Sequence, residues 1–286
     1  MVVAIGLLAG VSGCTAMRLA YGTGPDLAYW YVDRYVDFDE SQSPKVRDAL
    51  AQWFAWHRRT QVPDYATQLA RARAEVLNDT TAVRACEWQA ELGKRFHTAF
   101  DQAAPAIADV VLTIKPEQLR SIERRQAKSN ADYRKEYLQA DAGRRSAQTV
   151  ERTVDRLETL YGRLDDAQLA RVTELLARSP FDPELWLAER QQRQQEATQL
   201  IRKMVADGAG REQARAALQG YIARMQQSPR DSYRRYAQRL SEFNCGFAAD
   251  LHNRTTLAQR RHAAQKLTAW ESDLRAIAGP AELAMN

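Results

Sequence analysis

Three sets of side chains in this 286-residue chain could do chemistry. The first is Cys14, which follows directly on Val11-Ser12-Gly13 and on an uncharged run from Met1 to Gly10 that carries Val2, Val3, Ile5, Leu7 and Leu8. An apolar run closing on small residues and a cysteine is what bacterial lipoprotein signal peptidase cleaves. Cleavage after residue 13 makes Cys14 the first residue of the mature chain, acylated on its sulfur and its amino group. The run is too short to span a bilayer, which takes about 20 apolar residues, and it has the length of a signal-peptide hydrophobic region. No Lys or Arg precedes it, so translation starts upstream of Met1 or the signal is atypical; a buried N-terminal strand or helix ending at a cysteine is the bland alternative. Each buried methylene contributes about 0.8 kcal/mol, so two or three acyl chains anchor firmly where one holds only marginally. Residue 15 is Thr rather than Asp, which by the sorting logic of Gram-negative lipoproteins points to the outer membrane, facing the periplasm.

The second set is Cys86 and Cys245, the two cysteines left once Cys14 is given to lipid. In an oxidising compartment they are candidates for a disulfide stapling two helices far apart in sequence. Closing so long a loop is worth roughly 4 kcal/mol in the chain-entropy account. Two separate buried thiols are the alternative.

The third set surrounds His57, which lies between Trp56 and the doublet Arg58-Arg59, with Asp33, Arg34, Tyr35 and Asp37 upstream. A histidine beside carboxylates invites a catalytic or metal role. His and Arg are also favoured near a helix C-terminus by the macrodipole, and a buried ion-pair cluster with Asp33 or Asp37, with Arg59 as a bidentate partner, is equally compatible with the sequence. The structural reading is preferred. Elsewhere the chemistry is thin. There are four histidines and no pair at i, i+4 as a helical metal site needs. The chain has no Cys-x-x-Cys, no Gly-rich phosphate loop and no Gly-x-Ser-x-Gly elbow. The expectation is therefore no catalytic site, no metal and no cofactor.

The elements that must position these groups read as helices throughout. Apolar residues recur at helical spacing in Val150, Val154, Leu157, Leu160, Tyr161 and Leu164, in Tyr233, Tyr236, Leu240, Phe243, Phe247 and Leu251, and in Leu257, Ala264, Leu267, Trp270, Leu274 and Ile277. β-Branched residues never cluster in alternation. Gly162, Gly208, Gly210 and Gly220 read as caps or breaks, and Pro25, Pro44, Pro63, Pro105, Pro116, Pro180, Pro183 and Pro229 as markers of helix starts. The predicted fold is all-α, a bundle or array of about eight to ten helices with no sheet. Residues 1–13 form the signal peptide, 14–24 a lipidated tether and 25–286 a single helical domain.

A weak internal repeat runs through the chain: an apolar residue, a capping or polar residue, two more, then Gln. It occurs as Phe38-Asp39-Glu40-Ser41-Gln42 and Leu164-Asp165-Asp166-Ala167-Gln168, with looser copies at Ile114–Gln118 and Thr255–Gln259. This is a capping-box arrangement, in which Asp or Thr caps the free amides of the first turn and Gln reaches back. Similar helix starts occur in periplasmic stress chaperones of the Spy type.

The net charge of +5 would suggest nucleic acid in a cytosolic protein. An envelope address removes that partner, and the arginines come in scattered doublets (Arg58-Arg59, Arg124-Arg125, Arg144-Arg145, Arg234-Arg235, Arg260-Arg261) rather than one tract. Most read as solvated helix faces; a functional basic patch would meet anionic lipid headgroups or acidic envelope polymers.

Residues 18–65 are the most distinctive part of the mature chain. Leu27, Trp30, Tyr31, Arg34, Tyr35 and Phe38 make a helical stripe, flanked by Asp26, Asp33, Asp37 and Asp39, and Val46, Leu50, Trp53, Phe54 and Trp56 follow on a second helix. The stripe is expected to be core joining the first helices to the rest, because interfacial helices carry Lys and Arg rather than an acidic flank. With its lipobox, Arg18 to Tyr21, Asp33 to Asp37 and Trp56 to Pro63, this region resembles a family of uncharacterised proteobacterial outer-membrane lipoproteins. The resemblance implies an all-helical envelope lipoprotein and brings no activity, cofactor or catalytic residue. The function expected is lipid-anchored binding or scaffolding of an envelope protein or polymer. The alternative is a chaperone-like, stress-related protein of the Spy type, and an enzyme centred on His57 with Asp33 and Asp37 is the least favoured class.

Overall fold

Proline and capping side chains set where the helices begin. In this computed structural model, which describes residues 20–279, helices α1 (Gly24–Val36), α2 (Ser43–Glu75), α4 (Pro116–Tyr137) and α7 (Pro183–Ala206) each carry a proline in the first turn. There its missing N–H costs nothing. Side-chain oxygens cap the others: Thr81 at α3 (Ala82–Val111), Asp141 at α5 (Ala142–Tyr161), Asp165 at α6 (Asp166–Ala177) and Thr256 at α10 (Leu257–Ala278). Helices α8 (Arg211–Gln226) and α9 (Asp231–Asn253) complete the series. Residues 20–22 are helical as well, which makes eleven helical segments among the described residues, one more than the upper bound read from the sequence. The extra segment falls within 14–24, the span read from the sequence as a lipidated tether. No strand occurs among the described residues. The signal peptide, Cys14 and the tether as far as residue 19 lie outside them.

Two prolines and one glycine sit where their local chemistry did not place them. Pro63 lies inside α2, Pro105 inside α3 and Gly220 inside α8, so none marks a boundary. A helix-interior proline forfeits a backbone hydrogen bond. The packing around both offsets it: Val62, beside Pro63, is 1 % exposed, and Ala104, beside Pro105, is fully buried.

The principal contacts close the ten helices into a ring. In order round it run α1, α2, α10, α5, α6, α9, α3, α8, α7 and α4, which returns to α1, and α2 also touches α3 across the ring. Three apolar clusters fill it. Ala108 and Val111 pack with Met204, Ala214 and Leu218; Val76 packs with Ala263 and Leu267; Leu164 packs with Val172 and Leu251. Cys86 on α3 and Cys245 on α9 form a disulfide, with Cα atoms 5.3 Å apart across 159 residues of sequence.

The Gln repeat builds two matching joints. Gln42 and Gln118, each 5 % exposed, donate to each other's amide oxygens at 3.2 and 2.5 Å. Each also donates past the end of the other's preceding helix: Gln118 to the Asp37 carbonyl after α1 at 2.9 Å, and Gln42 to the Thr113 carbonyl after α3 at 2.8 Å. Their oxygens accept the N–H groups of Asp39 and Lys115, so the same amides close the turn leading into α2 and the start of α4. Gln168 and Gln259 repeat the arrangement, donating to each other at 2.8 and 2.9 Å and to the carbonyls of Arg254 after α9 and Arg163 after α5. Each joint thus locks two helix hairpins, α1–α2 to α3–α4 and α5–α6 to α9–α10. A fifth copy, Ala209 to Gln213, caps α8, with its glutamine exposed and paired to no other amide. Capping alone is a local property; the cross-pairing is what makes four of the copies architectural.

Candidate functional site

An apolar groove of about 1000 Å³ opens between α1, α2 and α3. Three helices build it with the same spacing. On α2 the wall is Val46, Ala49, Leu50 and Trp53; on α3 it is Ala103, Ala106, Ile107 and Val110; on α1 it is Ala28, Val32 and Val36. In each helix these positions recur every three or four residues and so share one face. Ile114, Ile122 and Ile201 close the floor, while Lys45, Asp48, Asp109 and Arg211 stand at its edge, the last two joined as an ion pair at 2.7 Å. Burying such a face wins about 25 cal/mol per Å² of apolar surface. The space suits an apolar segment or ligand. The groove was not read from the sequence, although its three stripes are there to be read.

His57 takes partners other than those weighed from the sequence. Its Nδ1 lies 2.9 Å from the hydroxyl of Tyr21, its ring stacks on Trp53 with centroids 4.8 Å apart, and Trp56 and Tyr65 flank it. Burial pushes its pKa below the ordinary histidine value and pushes the hydroxyls of Tyr21 and Tyr65 up. The Tyr21 hydroxyl also lies 3.4 Å from the Phe54 carbonyl, to which it can donate. Asp33 instead accepts the Phe38 N–H at 3.0 Å, while Asp37 ends α1 with φ 66°. Among the described residues no hydrogen bond or ion pair joins His57 to either carboxylate, and the ion-pair cluster with Arg59 does not form; Arg59 is exposed. Arg58 lies over the Tyr21 ring at 5.5 Å. The indole N–H of Trp53 donates to the Ala99 carbonyl at 2.9 Å, so this aromatic cluster ties α2 to α3. Its geometry is that of a packed joint, with a Tyr–His hydrogen bond and no third group to complete a triad.

The aromatic stripe of α1 is not core. Leu27 is 57 %, Trp30 56 % and Tyr31 38 % exposed, and only Tyr29, between them, is buried. The periodicity marked a face correctly, but the face turned inward is Ala28, Val32 and Val36. Tyr29 is held by the Arg47 guanidinium 3.6 Å from its ring and by its hydroxyl donating to Ser43 Oγ at 2.9 Å. Arg34 rests on Trp30 at 4.6 Å, and Tyr35 packs on Tyr31 at 5.4 Å.

No group of three or more His, Cys, Asp or Glu side chains among the described residues is arranged to hold a metal ion, and no described helix is long and apolar enough to cross a membrane. The fold and its features define an all-helical, disulfide-bonded bundle with an open apolar groove. The chain belongs to DUF6279, a family of unknown function, whose family model matches residues 34–242. No curated protein and no solved structure gives a significant match.

Proposed function

We propose that this chain is a lipid-anchored envelope protein, held at the outer membrane through Cys14, that binds or scaffolds another envelope component. The anchor reading rests on the apolar run and small residues before Cys14. The disulfide between the two remaining cysteines suits the same oxidising compartment. The observation that carries binding over catalysis is the groove walled by α1, α2 and α3, set against a His57 whose partners are aromatic. An apolar segment of an envelope partner would lie in it, with the charged residues of the edge setting register.

A chaperone-like role related to the Spy type is the second reading. The capping-box repeat, with its glutamines paired between helix hairpins, favours it, because chaperones of that type carry similar helix starts. Crosslinking in intact cells tests both. A photoreactive residue replacing Ala106 in the groove should give a discrete adduct that the same residue at exposed Glu212 does not. A spread of many adducts favours the chaperone reading. Identical, sparse adducts from both positions contradict binding in the groove.

A further inference from the structure

Beside the exposed face of α1 lies a cleft between α1 and α4, about 190 Å³ in volume. It gathers Arg34 from α1 with Arg125 and Lys128 from α4. Neither Arg34 nor Arg125 makes an ion pair among the described residues, and Lys128 has only a loose one, 3.7 Å to Asp132, the single acid in the cleft. Behind it Arg190 of α7 donates to Ser129 Oγ at 2.7 Å, adding a fourth cation. The cleft therefore carries a positive excess, with only the Asp132 carboxylate set against its cations. It is continuous with the apolar face, because Tyr31 belongs to both and Arg34 lies on Trp30.

The acidic residues of α1 border this surface along one edge. At about 100° per residue, Leu27, Trp30, Tyr31 and Arg34 span one side of α1, and Asp26 and Asp33, four residues before and three after Trp30, flank its Trp30 edge. Asp26 lies 3.5 Å from Arg47, and Asp33 is turned to the Phe38 amide. Both carboxylates on that edge thus have partners within the protein, while the Tyr31 and Arg34 edge faces the cationic cleft.

We infer that this corner of α1 and α4 docks on the surface of an anionic phospholipid bilayer, with Leu27, Trp30 and Tyr31 in the interface and lipid phosphates in the Arg34–Arg125–Lys128 cleft. Trp and Tyr are the side chains favoured at the membrane–water boundary, and cations beside an inserted apolar face are the usual companion. The inference rests on the anchor reading for its setting: Gly24 at the start of α1 is ten residues on from Cys14, a span of at most about 35 Å, which keeps this face within reach of the bilayer holding the lipid.

The test uses the full purified chain, as cells make it, mixed with vesicles of phosphatidylcholine alone or with phosphatidylglycerol, each with brominated acyl tails that quench tryptophan on contact. Wild-type emission should be quenched, most strongly with phosphatidylglycerol, and Trp30→Phe should lose that component. Arg125→Glu and Lys128→Glu should each weaken binding about fivefold. Equal quenching of wild type and Trp30→Phe overturns the inference, as does a response to phosphatidylglycerol in both charge variants equal to that of wild type. Binding that a soluble polyanion displaces, with no quenching by brominated tails, assigns the cleft to an acidic polymer and overturns it too. Because the readout is Trp30 itself, failure of Cys14 to take up palmitate would refute the anchor without altering this result.

Discussion

Replacing Gln118 with alanine should cost far more than a surface glutamine has any right to. Its side chain takes part in four hydrogen bonds: accepting from the Lys115 amide at 2.8 Å, donating to the Asp37 carbonyl at 2.9 Å, and exchanging two with Gln42 at 2.5 and 3.2 Å. All lie where water has little access, since both glutamines are 5 % exposed. At about 1 kcal/mol per bond, with the stranded partners adding their desolvation, the loss is about 3–5 kcal/mol. For a chain of this size that lowers Tm by about 10 °C. Urea unfolding with the disulfide intact measures it, as a fall in midpoint at constant slope. Gln213→Ala is the control, because that glutamine makes the same local cap, 3.2 Å to the Gly210 amide, in an exposed position, and should change stability by about 0.5 kcal/mol or less. Gln42→Ala and Gln118→Ala together should cost at least about 1 kcal/mol less than the sum of the singles. A Gln118→Ala cost no greater than that of Gln213→Ala, or strict additivity with Gln42→Ala, would refute the cross-paired joint.

Three further outcomes follow from the same geometry. Reducing the Cys86–Cys245 bond, which closes 159 residues of sequence, should lower stability by about 4–5 kcal/mol in the chain-entropy account; an unchanged urea midpoint with dithiothreitol would contradict it. Arg230→Ala should cost about 1.5–3 kcal/mol, because it strips Glu189, 4 % exposed, of a partner whose guanidinium meets it at 2.5 and 2.8 Å and leaves it only Arg193 at 2.8 Å; a drop below about 1 kcal/mol would show the pair to be dispensable. Acid should destabilise in two stages. Burial lowers the pKa of His57 and of His252, so their unfolded forms take up protons first and stability falls as pH drops below about 6.5. Arg171 holds the Asp250 carboxylate at about 2, from an ordinary 3.8, so its contribution is complete above pH 4 and is lost between about 4 and 2; Asp250→Asn should flatten that second fall in a urea-midpoint series against pH.

Much of the fold was legible because helix signals are local. The repeats of apolar residues at three and four gave the stripes that fill the core, such as Val150, Val154 and Leu157 against Val172, and the capping boxes at Asp165 and Thr256 mark true helix starts. What failed had a common cause. Pro63 and Pro105 look in sequence like Pro44 and Pro116; only the tertiary packing over α2 and α3 separates interior from start. Periodicity finds a face but not what covers it, so the stripe of Leu27, Trp30 and Tyr31 reads as core in the sequence and is open in the fold. His57 sits near Asp33 and Asp37 in sequence, yet its partners are Tyr21 and Trp53, fixed by how the helix end at residues 20–22 folds back on α2. The cysteine pair was reachable because assigning Cys14 elsewhere leaves two. The glutamine cross-pairing was not, since Gln42, Gln118, Gln168, Gln213 and Gln259 all accept the N–H three residues back and carry no mark of which will meet.

Everything proposed about location turns on Cys14, and metabolic labelling of intact cells with palmitate addresses it directly. The account predicts label on the wild-type chain in the outer-membrane fraction and none on Cys14→Ser. Equal labelling of the two, or an unlabelled wild type, would contradict it.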